Sequence, residues 1–269
     1  MDNSQFQGKW ANIIHQKSGD EFSIFVPPGQ KSKTQRQFNL YNYYEFIRPY
    51  IENKNYTNAL ELGCGRGTIS LYLHIYNKLK LTLVDVSDSA IELARKNFSH
   101  HQAQGEFVVA DCNTLSFPDN SFDVIVSIGL LEHFSDYNAS LKEQYRVLKP
   151  GGVMISLNIP KKQSVQVLNQ FYRFLLRVLF RKKGLQKDYY RNHDYPYVYK
   201  MNAEASGFIN CATVNVNPYP LFTPLHPIFE KPLTWVYRCI NVLRSKFMKY
   251  PFKTNYLFSQ AHFLVGFKK

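Results

Sequence analysis

The stretch Ala59-Leu60-Glu61-Leu62-Gly63-Cys64-Gly65-Arg66-Gly67 (ALELGCGRG, residues 59–67) decides the fold. A short apolar run feeds three closely spaced glycines, and a segment with helical periodicity follows from about Thr68 to Tyr76. A strand that passes through a glycine turn into a helix is the opening unit of an open α/β sheet. Such sheets bind ligands in the crevice beyond the carboxyl ends of their strands. Glycine permits the tight turn and lets a ligand approach the backbone without meeting a Cβ. The free N–H groups of the following helix face the same crevice. Alone, the loop signals only a tight strand–helix connection, but its details narrow the reading. The glycines stand at 63, 65 and 67, and the sixth position is Thr68, so the G-x-G-x-x-G spacing that accommodates a pyrophosphate is absent. Glu61, two residues before the first glycine, would repel a pyrophosphate and suits a cationic ligand.

Working outward, strand and helix patterns alternate. Phe38–Ile51 reads as a helix with an aromatic stripe, LTLVDVS as a strand, and Ser89–His100 as a helix that Ser87 or Asp88 can cap. The strands EFVVAD and FDVIVSIG follow, then a helix from about Ser135 to Leu148 and the strand GVMISL after Pro150-Gly151-Gly152. Asn202–Gly207 reads as the last helix flanking the sheet, CATVNVN as a sixth strand and AHFLVGF as a seventh. Strands alternating with helices of this length imply βαβ units. The predicted fold is therefore α/β, a doubly wound, mostly parallel seven-stranded sheet. Helical insertions follow strand five and separate strands six and seven. As a division of the chain, residues 1–269 form one domain. An arm (1–37) carries a short helix near residues 10–15, the core is 38–160, and the insertions are 161–200 and 218–255.

Carboxylates mark two further strand ends. Asp85 closes the second strand about twenty residues past the loop, where it can accept both hydroxyls of a ribose. Asp111 closes the third, where it can take a proton from an adenine amino group. Asp123 begins the fourth strand, at the opposite edge, and reads as structural.

ELGCGRG, LVDVS, the acidic end of VVADCNTLSFPDNSFDVIVS, LLEHF and RVLKPGGVMIS stand in unbroken order over roughly residues 38–158. Together they resemble the successive motifs of the class I S-adenosylmethionine-dependent methyltransferases, in the branch with ubiquinone/menaquinone-biosynthesis and small-molecule enzymes. The resemblance implies S-adenosylmethionine as cofactor. It places Gly63, Cys64 and Gly65 along the methionine moiety, with Gly67 also in the cofactor site and Glu61 anchoring the ammonium group. Asp85 would hold the ribose and Val86 pack on the adenine. Asp111 and the Cys112 N–H would bond the adenine edge. Ile128, Gly129 and Leu130 would border the sulfonium. No metal is implied.

Methyl transfer from a sulfonium is a direct displacement, so the enzyme's main task is alignment. A general base helps only where the acceptor carries a proton of high pKa, as an alcohol or phenol does. His133, in LLEHF, stands after the fourth strand, and imidazole titrates near neutrality. It is the catalytic candidate, with Glu132 behind it. Tyr41, Tyr43 and Tyr44 are candidates to close over the methionine end, although a packed helix stripe explains them equally well.

Charge divides the chain. Residues 1–160 carry 15 Lys+Arg against 16 Asp+Glu, whereas residues 161–269 carry 18 against 4. That excess attracts anionic partners. Arg173, Arg177 and Arg181 recur every fourth residue, beside Lys182 and Lys183, and Leu168, Phe171, Leu175 and Val178 lie on another helical face. Two readings stand: the apolar faces pack on the core with the cations solvated, or the helices meet an anionic membrane surface. No nucleic-acid-binding module is present, so nucleic acid is the weakest option.

The four cysteines form no CxxC pair, and the first residues (MDNSQFQGKW) carry no apolar signal. A reducing, cytoplasmic setting is expected, peripheral to a membrane if the basic helices meet one. The leading expectation is a methyltransferase acting on an oxygen of a small-molecule or lipid-like acceptor. The alternatives are a peripheral membrane methyltransferase of a quinone, lipid or lipid-linked sugar, and a cofactor-binding protein without catalysis.

Overall fold

Ala59, Leu60, Glu61 and Leu62 are all buried, as expected of a parallel strand covered on both faces. The computed structural model describes residues 10, 11, 13, 23–179 and 189–269. Helix α1 (Gln35–Ile51) leads into β1 (Asn58–Leu62), α2 (Thr68–Asn77), β2 (Lys80–Asp85), α3 (Asp88–His100), β3 (Glu106–Val109) and β4 (Phe122–Ile128). A 3-10 turn (Leu131–His133) precedes α4 (Asn138–Val147) and β5 (Leu148–Asn158). Then come α5 (Gln166–Leu179), α6 (Pro196–Ala205), β6 (Ile209–Val216), α7 (Pro227–Ser245) and β7 (Ala261–Phe267).

The seven strands are ordered β3-β2-β1-β4-β5-β7-β6. All neighbouring pairs are parallel except those of β7, which runs antiparallel to β5 and β6. The sheet is thus mostly parallel with one antiparallel hairpin. From β1 the chain moves outward to β2 and β3, then returns to β4 on the other side. The reversal opens a crevice at the carboxyl ends of β1 and β4. Both faces are covered. Ala59, Val124 and Val126 belong to the core beneath α1, α2 and α3, and Leu60, Leu62 and Ile125 to the core beneath α4 and α6.

Several boundaries differ from the sequence expectation. Strand β3 stops at Val109, so Asp111 lies two residues beyond it. Helix α6 starts inside the Tyr-rich stretch because Pro196 suits a first helical position and Tyr199 and Ala203 are buried. Helix α7, inside the expected insertion 218–255, starts at Pro227 for the same proline preference. Of the expected arm helix, Trp10, Ala11 and Ile13 are helical and the rest lies outside the described residues, as do Arg181, Lys182 and Lys183.

Candidate functional site: a cofactor crevice at the strand ends

Gly63, Gly65 and Gly67 all adopt left-handed backbone, with φ of 64°, 51° and 64°. A Cβ on Gly63 would stand 2.9 Å from Leu130 Cδ1, and one on Gly65 2.8 Å from the Trp10 ring. The first two glycines thus face the crevice. Gly67 does not. Its Cβ would meet Leu83 Cδ2 at 2.6 Å and Phe98 at 3.1 Å, so it lets the loop close onto the sheet and α3. This corrects its expected place beside the cofactor.

A cavity of about 950 Å³ occupies the crevice. Glu61, Gly63, Cys64, Gly65, Asp85, Val86, Asp111, Cys112, Ile128, Gly129, Leu130 and His133 all line it. Three carboxylates from adjacent strands therefore converge around the loop. Asp85 Oδ2 accepts the Gly65 N–H at 3.0 Å and Oδ1 the Ser87 N–H at 3.0 Å, tying the loop to β2. Asp111 Oδ1 accepts the Asn113 N–H at 2.9 Å. Glu61 is buried, and its Oε2 accepts the Ser70 N–H at 3.1 Å and the Ser70 hydroxyl at 2.5 Å. Burial pushes its carboxyl up to about 7, against the pull of those two bonds, and nearby Asp85 adds to the rise. A cation beside Glu61 would restore the ionised form. Burial likewise pushes the Cys64 thiol up, so Cys64 offers backbone rather than a thiolate.

His133 stands at the far wall. Its Nδ1 lies 2.7 Å from the Tyr190 carbonyl oxygen. A carbonyl only accepts, so Nδ1 carries the proton and Nε2 is the nitrogen able to take one. Glu132 is buried and absent from the cavity wall. Asp123, at the opposite edge of the sheet, accepts from the Thr57 and Asn58 N–H groups and from Lys149 Nζ. Burial would raise its carboxyl, but those bonds outweigh it and hold the group low.

Tyr41 and Tyr44 are corrected as substrate-side residues. Tyr44 stacks on Tyr72 of α2, ring centroids 5.1 Å apart, and its hydroxyl donates to Asn77 Oδ1 at 3.0 Å. Tyr41 packs on the same Tyr72. The face of α1 toward the cavity is Arg36, Asn39, Leu40 and Tyr43, at i, i+3, i+4 and i+7. Tyr43 accepts from Asn217 Nδ2 at 2.8 Å, and burial keeps it a neutral phenol, its pKa pushed up to about 12.

Sequence reasoning missed Arg36, Arg66, Trp10 and Leu221, which also line the cavity. Burial pushes Arg66 down to about 10, and the charge of Arg36 adds to this. Burial lowers Arg36 as well, with Glu230 acting against it. The one available signal for Arg66 was its position inside the glycine loop.

A glycine loop shaped for close ligand approach, a buried carboxyl suited to a cation and carboxylates at two further strand ends are the features expected of a class I S-adenosylmethionine-dependent methyltransferase site. The family described as a methyltransferase domain matches residues 60–156 of this chain. It is 38% identical over 137 residues to the ubiquinone/menaquinone biosynthesis C-methyltransferase UbiE of Rickettsia bellii, covering 48% of this chain and 54% of that one. It is 36% identical over 113 residues to a phosphoethanolamine N-methyltransferase of Triticum aestivum, covering 42% and 22%. A solved S-adenosylmethionine-dependent methyltransferase from Archaeoglobus fulgidus superposes with a TM-score of 0.55 at 19% identity, covering 85% and 94%, a likeness of fold. The chain spans about half the length, or less, of the curated relatives it matches.

Proposed function

We propose that the chain transfers the methyl group of S-adenosylmethionine to a small-molecule or lipid-like acceptor, and that the methylated atom is an oxygen. The observation that carries this reading is the convergence of Glu61, Asp85 and Asp111 around a left-handed glycine loop. They share one cavity whose 950 Å³ lies at the upper end of ligand sites, giving room for a cofactor and an acceptor.

The bound cofactor supplies an electrophilic methyl on a sulfonium that leaves as a neutral thioether. The residues hold and align. Glu61 takes the ammonium, Asp85 the ribose hydroxyls, and Asp111 with the Cys112 N–H the adenine edge. Val86 packs on the adenine ring, and Ile128, Gly129 and Leu130 border the sulfur. Arg36 and Arg66 give the cavity positive charge to balance a carboxylate or phosphate. Alignment of nucleophile, methyl and sulfur is the principal contribution.

His133 supports the oxygen assignment. With Nδ1 committed to the Tyr190 carbonyl, Nε2 can take the proton of an alcohol or phenol. The relatives are named for carbon and nitrogen acceptors. A carbon beside a phenolate would call on the same base, whereas a neutral amine would need none at the moment of attack.

The test is turnover on an acceptor panel with a 13C-labelled methyl group, read by NMR as O-, C- or N-methyl product. O-methyl product is expected. Transfer only to nitrogen would remove the oxygen assignment. Tight S-adenosylhomocysteine binding with no transfer to any acceptor would favour the non-catalytic alternative.

A further inference from the structure

Helices α5 and α7 turn their apolar faces outward. On α5, Val167, Phe171, Phe174 and Val178 fall at i, i+4, i+7 and i+11, one stripe along the helix. All four are exposed, Phe171 at 59%, and Gln166 is the one buried residue of the helix. On α7, Ile228, Trp235 and Val242 recur every seventh residue, with Phe229, Val236 and Leu243 alongside, and all six are exposed. The inward face is the more polar one. Thr234 and Tyr237 are buried there, and Asn241 donates to Asn42 Oδ1 of α1 at 3.3 Å. A surface helix of a soluble domain has the opposite arrangement. Before residue 160, Val109 is the single exposed large apolar side chain among the described residues.

Charge says what covers this face. Residues 161–269 carry 18 Lys+Arg against 4 Asp+Glu, and Arg177, Lys231, Lys246 and Lys249 are exposed beside the stripes. Aromatic and aliphatic residues flanked by cations are what an interfacial helix presents to an anionic bilayer. A second copy of this face would bring like charge against like. Among the described residues, no helix is long and apolar enough to cross a membrane.

The face adjoins the cavity. Leu221 lines the cavity, and the Phe222 ring packs on Tyr172 of α5, centroids 5.4 Å apart. The Thr223 N–H donates to Asn169 Oδ1 at 2.9 Å, and the Tyr172 hydroxyl to the Pro224 carbonyl at 2.8 Å. The Phe222 N–H donates to Gln35 Oε1 at 2.9 Å, and the Gln35 N–H to Glu230 Oε2 of α7 at 2.9 Å. Residues 221–224 thus join the cavity wall to both helices.

We propose that the outward faces of α5 and α7 dock the protein on an anionic phospholipid surface, bringing the cavity rim at 221–224 to the bilayer so that an amphiphilic acceptor enters from it. Entry of the acceptor rests on the methyl-transfer reading; docking does not.

Co-sedimentation with vesicles tests it, comparing phosphatidylcholine mixed with phosphatidylglycerol against phosphatidylcholine alone. Binding to the mixed vesicles at low salt is expected, weaker without the anionic lipid and weakened by added salt. Phe171→Asp, Phe174→Asp and Trp235→Asp together should lower that binding about a hundredfold. S-adenosylhomocysteine affinity should stay unchanged, which shows the variant folded. Arg177→Gln with Lys231→Gln and Lys246→Gln should remove most of the preference for anionic vesicles. The proposal is overturned by absent vesicle binding, by undiminished binding of the triple aspartate variant, or by a dimer that this variant dissolves. Vesicle binding without S-adenosylhomocysteine binding would uphold docking and sink the methyl-transfer reading.

Discussion

The two halves of this chain solve opposite problems with the same strand-and-helix materials. Up to β5, among the described residues, no large apolar side chain but Val109 is exposed, charge is balanced, and polar groups that matter sit at strand ends around a glycine loop. Beyond it, α5 and α7 hold apolar residues outside and the charge is strongly positive. The first half is built to enclose one nucleoside. The second carries the outward apolar and cationic surface on which the docking proposal rests. The comparison teaches that cofactor and acceptor recognition are separable, since the carboxylates lie in one half and the exposed stripes in the other.

The largest expected effect breaks the comparison at the chemistry between the halves. His133→Ala should lower kcat by about 10²–10⁴-fold, the usual worth of a positioned base, with S-adenosylhomocysteine affinity unchanged. A variant that turned over normally would remove His133 from the reaction. Next, Gly67→Ala should cost about 3 kcal/mol in urea unfolding, from a strained φ of 64° and a Cβ forced to 2.6 Å from Leu83. A cost below about 1 kcal/mol would mean the loop does not need its third glycine for packing.

The cofactor half also carries a pH signature. In the free protein the Glu61 carboxyl lies near 7, well above the carboxylate range, so a proton must leave before an ammonium can pair with it. S-adenosylhomocysteine binding should tighten about tenfold from pH 6 to 8 and lose that slope in Glu61→Gln, as calorimetry would read. Stability of the free protein has the opposite sign. The folded form keeps a proton that the unfolded chain releases between about 4.5 and 7, so stability falls as pH rises through that window. A flat binding profile would separate Glu61 from the ligand. The smallest effect sharpens the tyrosine assignment. Tyr44→Phe should cost about 1 kcal/mol of stability through the lost Asn77 bond and leave KM for the acceptor unchanged, whereas Tyr43→Phe should change that KM.

Legibility in the sequence followed the same division. Glu61, Gly63, Gly65, Asp85 and Asp111 were readable because a parallel strand delivers its last residues to one edge, so order along the chain becomes position in the crevice. Asp123 was readable as structural for the same reason. Gly67 was misplaced because spacing cannot tell whether a glycine admits a ligand or a neighbouring helix. Tyr41 and Tyr44 were misplaced because the aromatic run in α1 supplies a ring to two faces, and only docking against Tyr72 selects which face meets the cavity. Arg36 was invisible, since it joins the site through the packing of α1. Periodicity gave an apolar face for α5 but not its direction, and the matching face of α7 was not read. Direction depends on whether the sheet beneath leaves such a face anything to cover.

The most direct measurement is titration calorimetry of S-adenosylhomocysteine into the wild-type protein, Asp85→Ala and the variant with aspartates at 171, 174 and 235. Wild type should bind one equivalent. Asp85→Ala should bind roughly 10–100-fold more weakly through loss of two charge-assisted hydrogen bonds. The triple variant should match wild type. An Asp85→Ala protein with undiminished affinity would contradict the assignment of the crevice, and with it the division of the chain into a cofactor half and an acceptor half.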